Sequence, residues 1–249
     1  MSAQTLPRIA EPTIEQVFEA FLGEQRARLK PATFARYETV ISLLESHLDS
    51  SAYEGLSKAE RTLFDRHFNA EGEQHRTFCQ LFGPEKVPGN LGSFFSYFLP
   101  NKVLGGFGLT RAAASAMKKL APRLAAQGFI TTAASDDGAE LAAAAGRDLP
   151  RAERAAMALY RSLRPLRGHP DEIPGEDWIE YDHYPIARIE PGKLWLSVDY
   201  DDAGEPRALG PISAPREATK LLAQGWEVGC SLARIKGEWR IVELGNIHP

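Results

Sequence analysis

Residues 13–48 read TIEQVFEAFLGEQRARLKPATFARYETVISLLESHL, and their periodicity decides how the first half of the chain is built. Thr13 with Gln16 three residues later is a capping-box start for a helix. Ile14, Val17, Phe18, Phe21 and Leu22 follow at helical spacing and make one apolar stripe. Pro31 opens a second helix, because proline suits the first helical turn, where its missing N–H goes unneeded. Phe34, Tyr37, Ile41, Leu44 and Leu48 continue with gaps of three and four, the pattern of a packed face. The two stripes are expected to pack on each other as a helical hairpin.

Helical patterning continues from there. Ser57 and Glu60 form a second capping box ahead of Leu63, Phe64 and Phe68. A short piece with Phe78, Leu81 and Phe82 stops at Gly83-Pro84, and Asn90 is placed to cap a helix carrying Leu91, Phe94, Phe95 and Phe98. After a turn at Gly105, Gly106 and Gly108, Thr110 is expected to cap a helix through Met117, Leu120 and Leu124 that Gly128 closes, with Pro122 expected to kink it or remove one hydrogen bond. The alanine-rich stretch from Ser135 to Arg147 reads as a weakly anchored helix, and Asp148 as the cap of a separate one from Leu149 to Leu163. Arg164 to Gly175, rich in proline and glycine, reads as a linker.

Beyond it the period changes to two. Trp178–Tyr184, Ile186–Glu190, Lys193–Val198 and Leu209–Ile212 read as strands, and Pro215–Gln224 as a short helix. Trp226–Ile235 and Glu238–Leu244 then read as a hairpin turning at Lys236-Gly237. Strands, one helix and a hairpin in this order suggest a small barrel with an OB-like arrangement. The expected class is therefore α+β: an all-α domain over 1–130, a helical connector and linker over 131–175, and a small antiparallel barrel-like domain with one short helix over 176–249.

Bulk composition narrows the functions open to such a chain. With 249 residues, 43% hydrophobic and 25% charged, it has material for one large or two small cores. Its apolar runs fall far short of the roughly 20 residues of a membrane span, and its start lacks a basic-then-apolar signal, so no membrane partner is expected. Cys79 and Cys230, far apart and in dissimilar segments, read as buried thiols of a cytoplasmic protein. The net charge of −4 is unevenly spread. Residues 1–130 hold 15 Lys/Arg against 13 Asp/Glu, whereas residues 170–249 hold 8 against 15. A nucleic-acid surface would therefore belong to the first part of the chain.

Two stretches carry a resemblance. Thr13 to Leu48, with Lys30-Pro31-Ala32-Thr33 and Tyr37, and Leu109 to Ile130, ending in Leu124, Gly128, Phe129 and Ile130, resemble the core-binding (SAM-like) domain of tyrosine recombinases, the phage integrases. Together they cover about a quarter of the chain, and residues 49–90 exceed what the family carries there. In that family the helix after the Lys-Pro hinge and the last helix face DNA. The resemblance thus implies duplex DNA as partner and Lys30, Thr33, Arg36, Arg111, Lys118 and Lys119 as its contacts. A helix start with threonine and lysine nearby suits a phosphate; the plainer alternative is a solvated polar face.

The family's catalytic domain is not expected. Tyr37 sits at a core-stripe position, and none of His169, His183 and His248 has an arginine three residues on, as a His-x-x-Arg motif would require. No enzymatic activity and no cofactor are expected.

Other constellations have ordinary explanations. His67, Glu71, His75 and Cys79 hint at a helical zinc site but lack further ligands of known geometry. Arg147, Arg151, Arg154 and Arg161 share a helix face, which could track a phosphate backbone or be a solvated face partly neutralised by Glu153. Trp226, Val228, Cys230 and Leu232 alternate as a core would, so the aromatics of the last third read as core more than as a base-stacking platform. Asp199, Asp201, Asp202 and Glu205 with Gly204 read as an acidic loop in place of a calcium site. An acidic barrel on a basic helical unit suggests a protein partner or self-interaction that covers the basic face; the rival reading is a protein-interaction scaffold that keeps the helical fold without binding DNA.

Overall fold

The computed structural model describes residues 8–102, 107–163, 177–200 and 206–249. The chain divides into two compact units: a helical unit, Met1–Leu99 with Gly108–Gly146, and a sheet unit, Pro100–Phe107 with Arg147–Pro249. The class is α+β, helices first and a five-stranded sheet last.

In the helical unit α1 (Ile14–Arg26) starts at the capping box its sequence encodes: Gln16 N–H donates to Thr13 Oγ1 at 3.3 Å and Thr13 N–H to Gln16 Oε1 at 3.0 Å. It buries Ile14, Val17, Phe18 and Phe21 against α2 (Pro31–Ser51), which buries Phe34, Tyr37, Val40, Ile41, Leu44 and Leu48. Phe21 and Tyr37 stack with ring centres 6.5 Å apart. Each such buried side chain contributes about 1.5–3 kcal/mol of apolar burial, which holds the hairpin together.

Next come α3 (Lys58–Phe68), behind a second capping box at Ser57 and Glu60, and α4 (Phe78–Leu81). α5 (Pro88–Ser93) begins at a proline, not at Asn90; the Asn90 side chain instead donates to the Lys86 carbonyl at 2.9 Å. A π-helical turn, Phe94–Phe98, joins α5 to α6 (Leu99–Lys102). It buries both Phe94 and Phe95, and it brings Phe98 to 4.9 Å, centre to centre, from the His47 ring.

The helix α7 (Phe107–Ala126) continues through Pro122, which is exposed on its outer face. It ends as its sequence predicts. Gly128 takes φ +76°, its N–H reaches the Ala125 carbonyl at 2.9 Å, and the Phe129 N–H reaches Leu124 at 3.0 Å, a Schellman closure.

Two helices were expected next, and one forms: α8 (Thr132–Ser162) runs unbroken through Gly146, Asp148 and Pro150. Asp148 does not cap a helix; its carboxylate takes Arg147 at 2.8 Å and Arg151 at 3.0 Å. Nor is the alanine-rich half weakly anchored, since Ala142 and Ala145 are buried and Gly146 lies against Ala114 so closely that a Cβ would meet it at 2.8 Å. Small side chains look like weak packing in a sequence, yet they let two helices approach closely.

The sheet unit holds β1 (Trp178–Glu190), β2 (Lys193–Tyr200), β3 (Pro206–Ser213), β4 (Glu227–Ile235) and β5 (Glu238–His248), with the short α9 (Arg216–Thr219) between β3 and β4. The two strands expected over 178–190 are one, broken in register at Ile179/Asp182 and Ile186/Arg188 so that it serves two neighbours. The ladder runs β1-β2-β3-β5-β4 and returns to β1 through its pairing with β4. All these pairs are antiparallel except β3 with β5, which run parallel at Ile212 and Trp239. That departs from the all-antiparallel expectation. The chain leaves β3 through α9 to reach β4, and the tight β4–β5 turn then sends β5 back beside β3. That turn is made by Lys236 at φ 52° and Gly237 at φ +79°.

The inward faces bury Ile186, Leu194, Leu196, Ile212, Val228, Cys230, Leu232 and Ile241, with Ala152, Ala155, Ala158 and Leu159 of α8 in the same core. The linker expected over Arg164–Gly175 lies outside the described residues, as do Gly105 and Gly106.

Candidate nucleic-acid interface

The helical unit brings the start of α2 and the exposed side of α7 together. Tyr37 Oη and Ser115 Oγ share a hydrogen bond of 2.7 Å, although 78 residues separate them. The Arg36 side chain lies along the start of α7, where a Cβ on Gly108 would stand 3.2 Å from its Cζ. Lys119 Nζ sits 5.2 Å above the Tyr37 ring and 3.5 Å from Oε1 of the buried Gln25. Further along α7, Arg123 grips Glu24 of α1 at 2.7 Å.

Each sequence-derived contact residue has a definite place here. Lys30 is the exposed N-cap of α2, with no side-chain cap bond, and Thr33 is exposed in its first turn. Arg36 follows one turn later. Arg111, Ser115, Lys118 and Lys119 fall within a 100° arc of α7 and are all exposed. Among the described residues no carboxylate forms an ion pair with Lys30, Arg36, Arg111 or Lys118. Lys119 differs: its amine is engaged by the Tyr37 ring and Gln25, which makes it a brace between α7, α1 and α2.

Sequence reading missed the rest of this surface. Arg26 ends α1 and Arg28 follows it just before the Lys30-Pro31 hinge, and Arg123 continues the α7 row. Their position around one hinge was a signal that could have been used. Two carboxylates sit among the cations. Glu38 takes Arg26 at 3.3 Å, and Glu24 is held by Arg123, whose hydrogen bond keeps its carboxyl below the usual carboxylate range. Away from the hinge the sign reverses. Glu45 is pushed up first by burial and then by Asp49, Glu15 and Glu19, an acidic group on α1 and α2.

The competing clusters do not assemble. His67 Nδ1 is 3.3 Å from the Gln74 carbonyl, and His75 Nδ1 is 2.9 Å from that of Phe68. Cys79 is buried elsewhere, its N–H donating to Asp49 at 2.8 Å, and burial pushes its thiol far up. Among the described residues no group of three His, Cys, Asp or Glu is arranged to hold a metal. The arginine row on α8 is committed to local partners: Arg147 and Arg151 to Asp148, Arg161 to Glu217 at 3.3 Å, and Arg154 to the Pro150 carbonyl at 3.1 Å. In the sheet unit Trp226 and Tyr184 are buried, whereas Trp178 and Tyr181 are exposed. Asp201, Asp202, Gly204 and Glu205 lie outside the described residues.

No helix among the described residues is long and apolar enough to cross a membrane. Compared with protein-family models, curated proteins and solved structures, the chain matches none.

Proposed function

We propose that the helical unit binds duplex DNA, as its resemblance to an integrase core-binding domain implies, and that the chain performs no strand-transfer chemistry. The observation that carries this reading is the Tyr37–Ser115 bond, which joins α2, bearing the exposed Lys30 and Arg36, to α7, bearing the exposed Arg111 and Lys118. Thr33 and the α2 start offer phosphate donors between them, and Lys119 holds the helices in register. Phosphate contacts of this kind position a protein without reading sequence. Tyr37 serves as a strut, its hydroxyl already engaged.

A salt titration of DNA affinity tests this. Four neutralised phosphates give a log–log slope of about −3.6. The Lys30→Ala/Arg36→Ala/Lys118→Ala variant should flatten that slope by nearly three. A slope near zero, or one the variant leaves unchanged, removes the proposal.

For the sheet unit we favour an OB-like barrel, supported by the β1-β2-β3-β5-β4 order, its return to β1 and the helix between β3 and β4. Its acidity suits a protein partner better than a nucleic acid. The exposed Trp178 and Tyr181 of β1 favour that second reading, a protein-binding scaffold, which pulldown without any DNA shift would support. Two buried free thiols fit a reducing, cytoplasmic setting.

A further inference from the structure

On the sheet unit two imidazoles lie close together beside a gap in the β4 side chains. His183 of β1 is paired opposite Gly229 of β4, and His248 of β5 opposite Glu227. Their ring centres are 5.0 Å apart, inclined at 58°. Gly229 makes the space: a Cβ there would fall 3.1 Å from His183 Nε2 and 2.6 Å from Tyr181 Oη. On the other side of Gly229, the β4–β5 ladder slips between Val228 and Cys230, which leaves Gly245 and Asn246 as a bulge. A Cβ on Gly245 would collide with the Tyr181 hydroxyl, and the Asn246 amide is tied to Asn101. Bulges of this kind re-aim side chains beside sites.

The spacing has chemical meaning. Imidazole nitrogens bind zinc at about 2.0–2.1 Å, and two rings on one tetrahedral ion then have centres about 5 Å apart. We propose that His183 and His248 form a two-imidazole site for a divalent transition metal, with the Tyr181 hydroxyl and water available for the remaining positions. No third His, Cys, Asp or Glu completes a set among the described residues, so the site is open and its affinity modest.

Calorimetric titration of the full chain with Zn2+ tests the site. One ion per chain is expected, with affinity lost at least tenfold in His183→Asn and retained in a His67→Ala/His75→Ala variant. The exposed His183 is the safer position to change. For His248, which is buried, the imidazole proton resonances of the unaltered chain replace a variant: both His183 and His248 signals should move on adding Zn2+. Absence of Zn2+ binding, insensitivity to His183→Asn, or shifts confined to other histidines would overturn the proposal.

Discussion

Glu38 and Glu24 already occupy Arg26 and Arg123, so a DNA phosphate bound there as proposed would have to displace them or bind beside them. Both pairs are well exposed on at least one side, and such pairs contribute little to stability. Removing the Glu38 charge therefore releases Arg26 at small cost to the fold. Glu38→Gln is expected to bind DNA several-fold more tightly at low salt, with a slope steeper by about 0.9. An unchanged slope would show that Arg26 never reaches a phosphate. His47 makes a different prediction. Buried on α2, it has Ser93 Oγ 3.0 Å from Nε2 and Ser51 Oγ 3.2 Å from Nδ1, and burial lowers its pKa. The unfolded chain takes up that proton more readily, so stability from the neutral ring is complete above about pH 6.5 and lost as pH falls below it. Glu45, raised by burial, pulls the opposite way on acidification, so the test is a comparison. The loss of unfolding free energy between about pH 7.5 and 5.5 should be smaller in His47→Gln than in the parent.

Among the elements, the helices divide into those tuned for packing and those left improvable. Gly146 of α8 lies where a Cβ would meet Ala114 of α7 at 2.8 Å. Gly146→Leu should lower stability by about 1–3 kcal/mol in denaturant titration, overpacking outweighing the gain in helix propensity. Gly23 of α1 has open space around it, so Gly23→Ala should raise stability by about 0.8–1 kcal/mol. A result with the two signs exchanged would mean that the α7–α8 approach is looser than described. These elements also show what a sequence can display. Capping boxes at Thr13 and Ser57, the Gly128 closure and the Lys236-Gly237 turn are local bonds between near neighbours, and they were legible. Three features were not. Fusion across Asp148 and Pro150 depended on tertiary burial of Ala145, Leu149 and Ala152, the π-helical turn on packing around His47, and the parallel β3–β5 contact on a ladder closed over long range. At the candidate site, the residue types were visible along two helices. The Tyr37–Ser115 bond and the Lys119 brace needed three dimensions.

For the whole molecule, the net charge of −4 conceals a division of labour. The acidic excess belongs to residues 170–249, and DNA binding of the kind proposed for the helical unit would be governed by local potential more than by the total. Neutralising Glu227 and Glu238, exposed in the sheet unit, should leave DNA affinity within about twofold at a Debye length of about 8 Å. Removing Arg36 and Arg111 should reduce it by an order of magnitude or more at the same salt. Equal effects from both changes would assign the binding to overall charge instead of a surface.

Trp178, Trp195, Trp226 and Trp239, the chain's four tryptophans, all fall in the sheet unit, and the helical unit has only tyrosine and phenylalanine. Light absorbed at the red edge of the protein band is therefore taken up and re-emitted from one unit only. Emission excited there follows events in the sheet unit and stays dark to the helical unit, whose opening is visible instead through the far-ultraviolet signal of α1, α2 and α7. The chain carries its own two-channel readout, and unfolding or ligand addition can be assigned to a unit without attaching any dye.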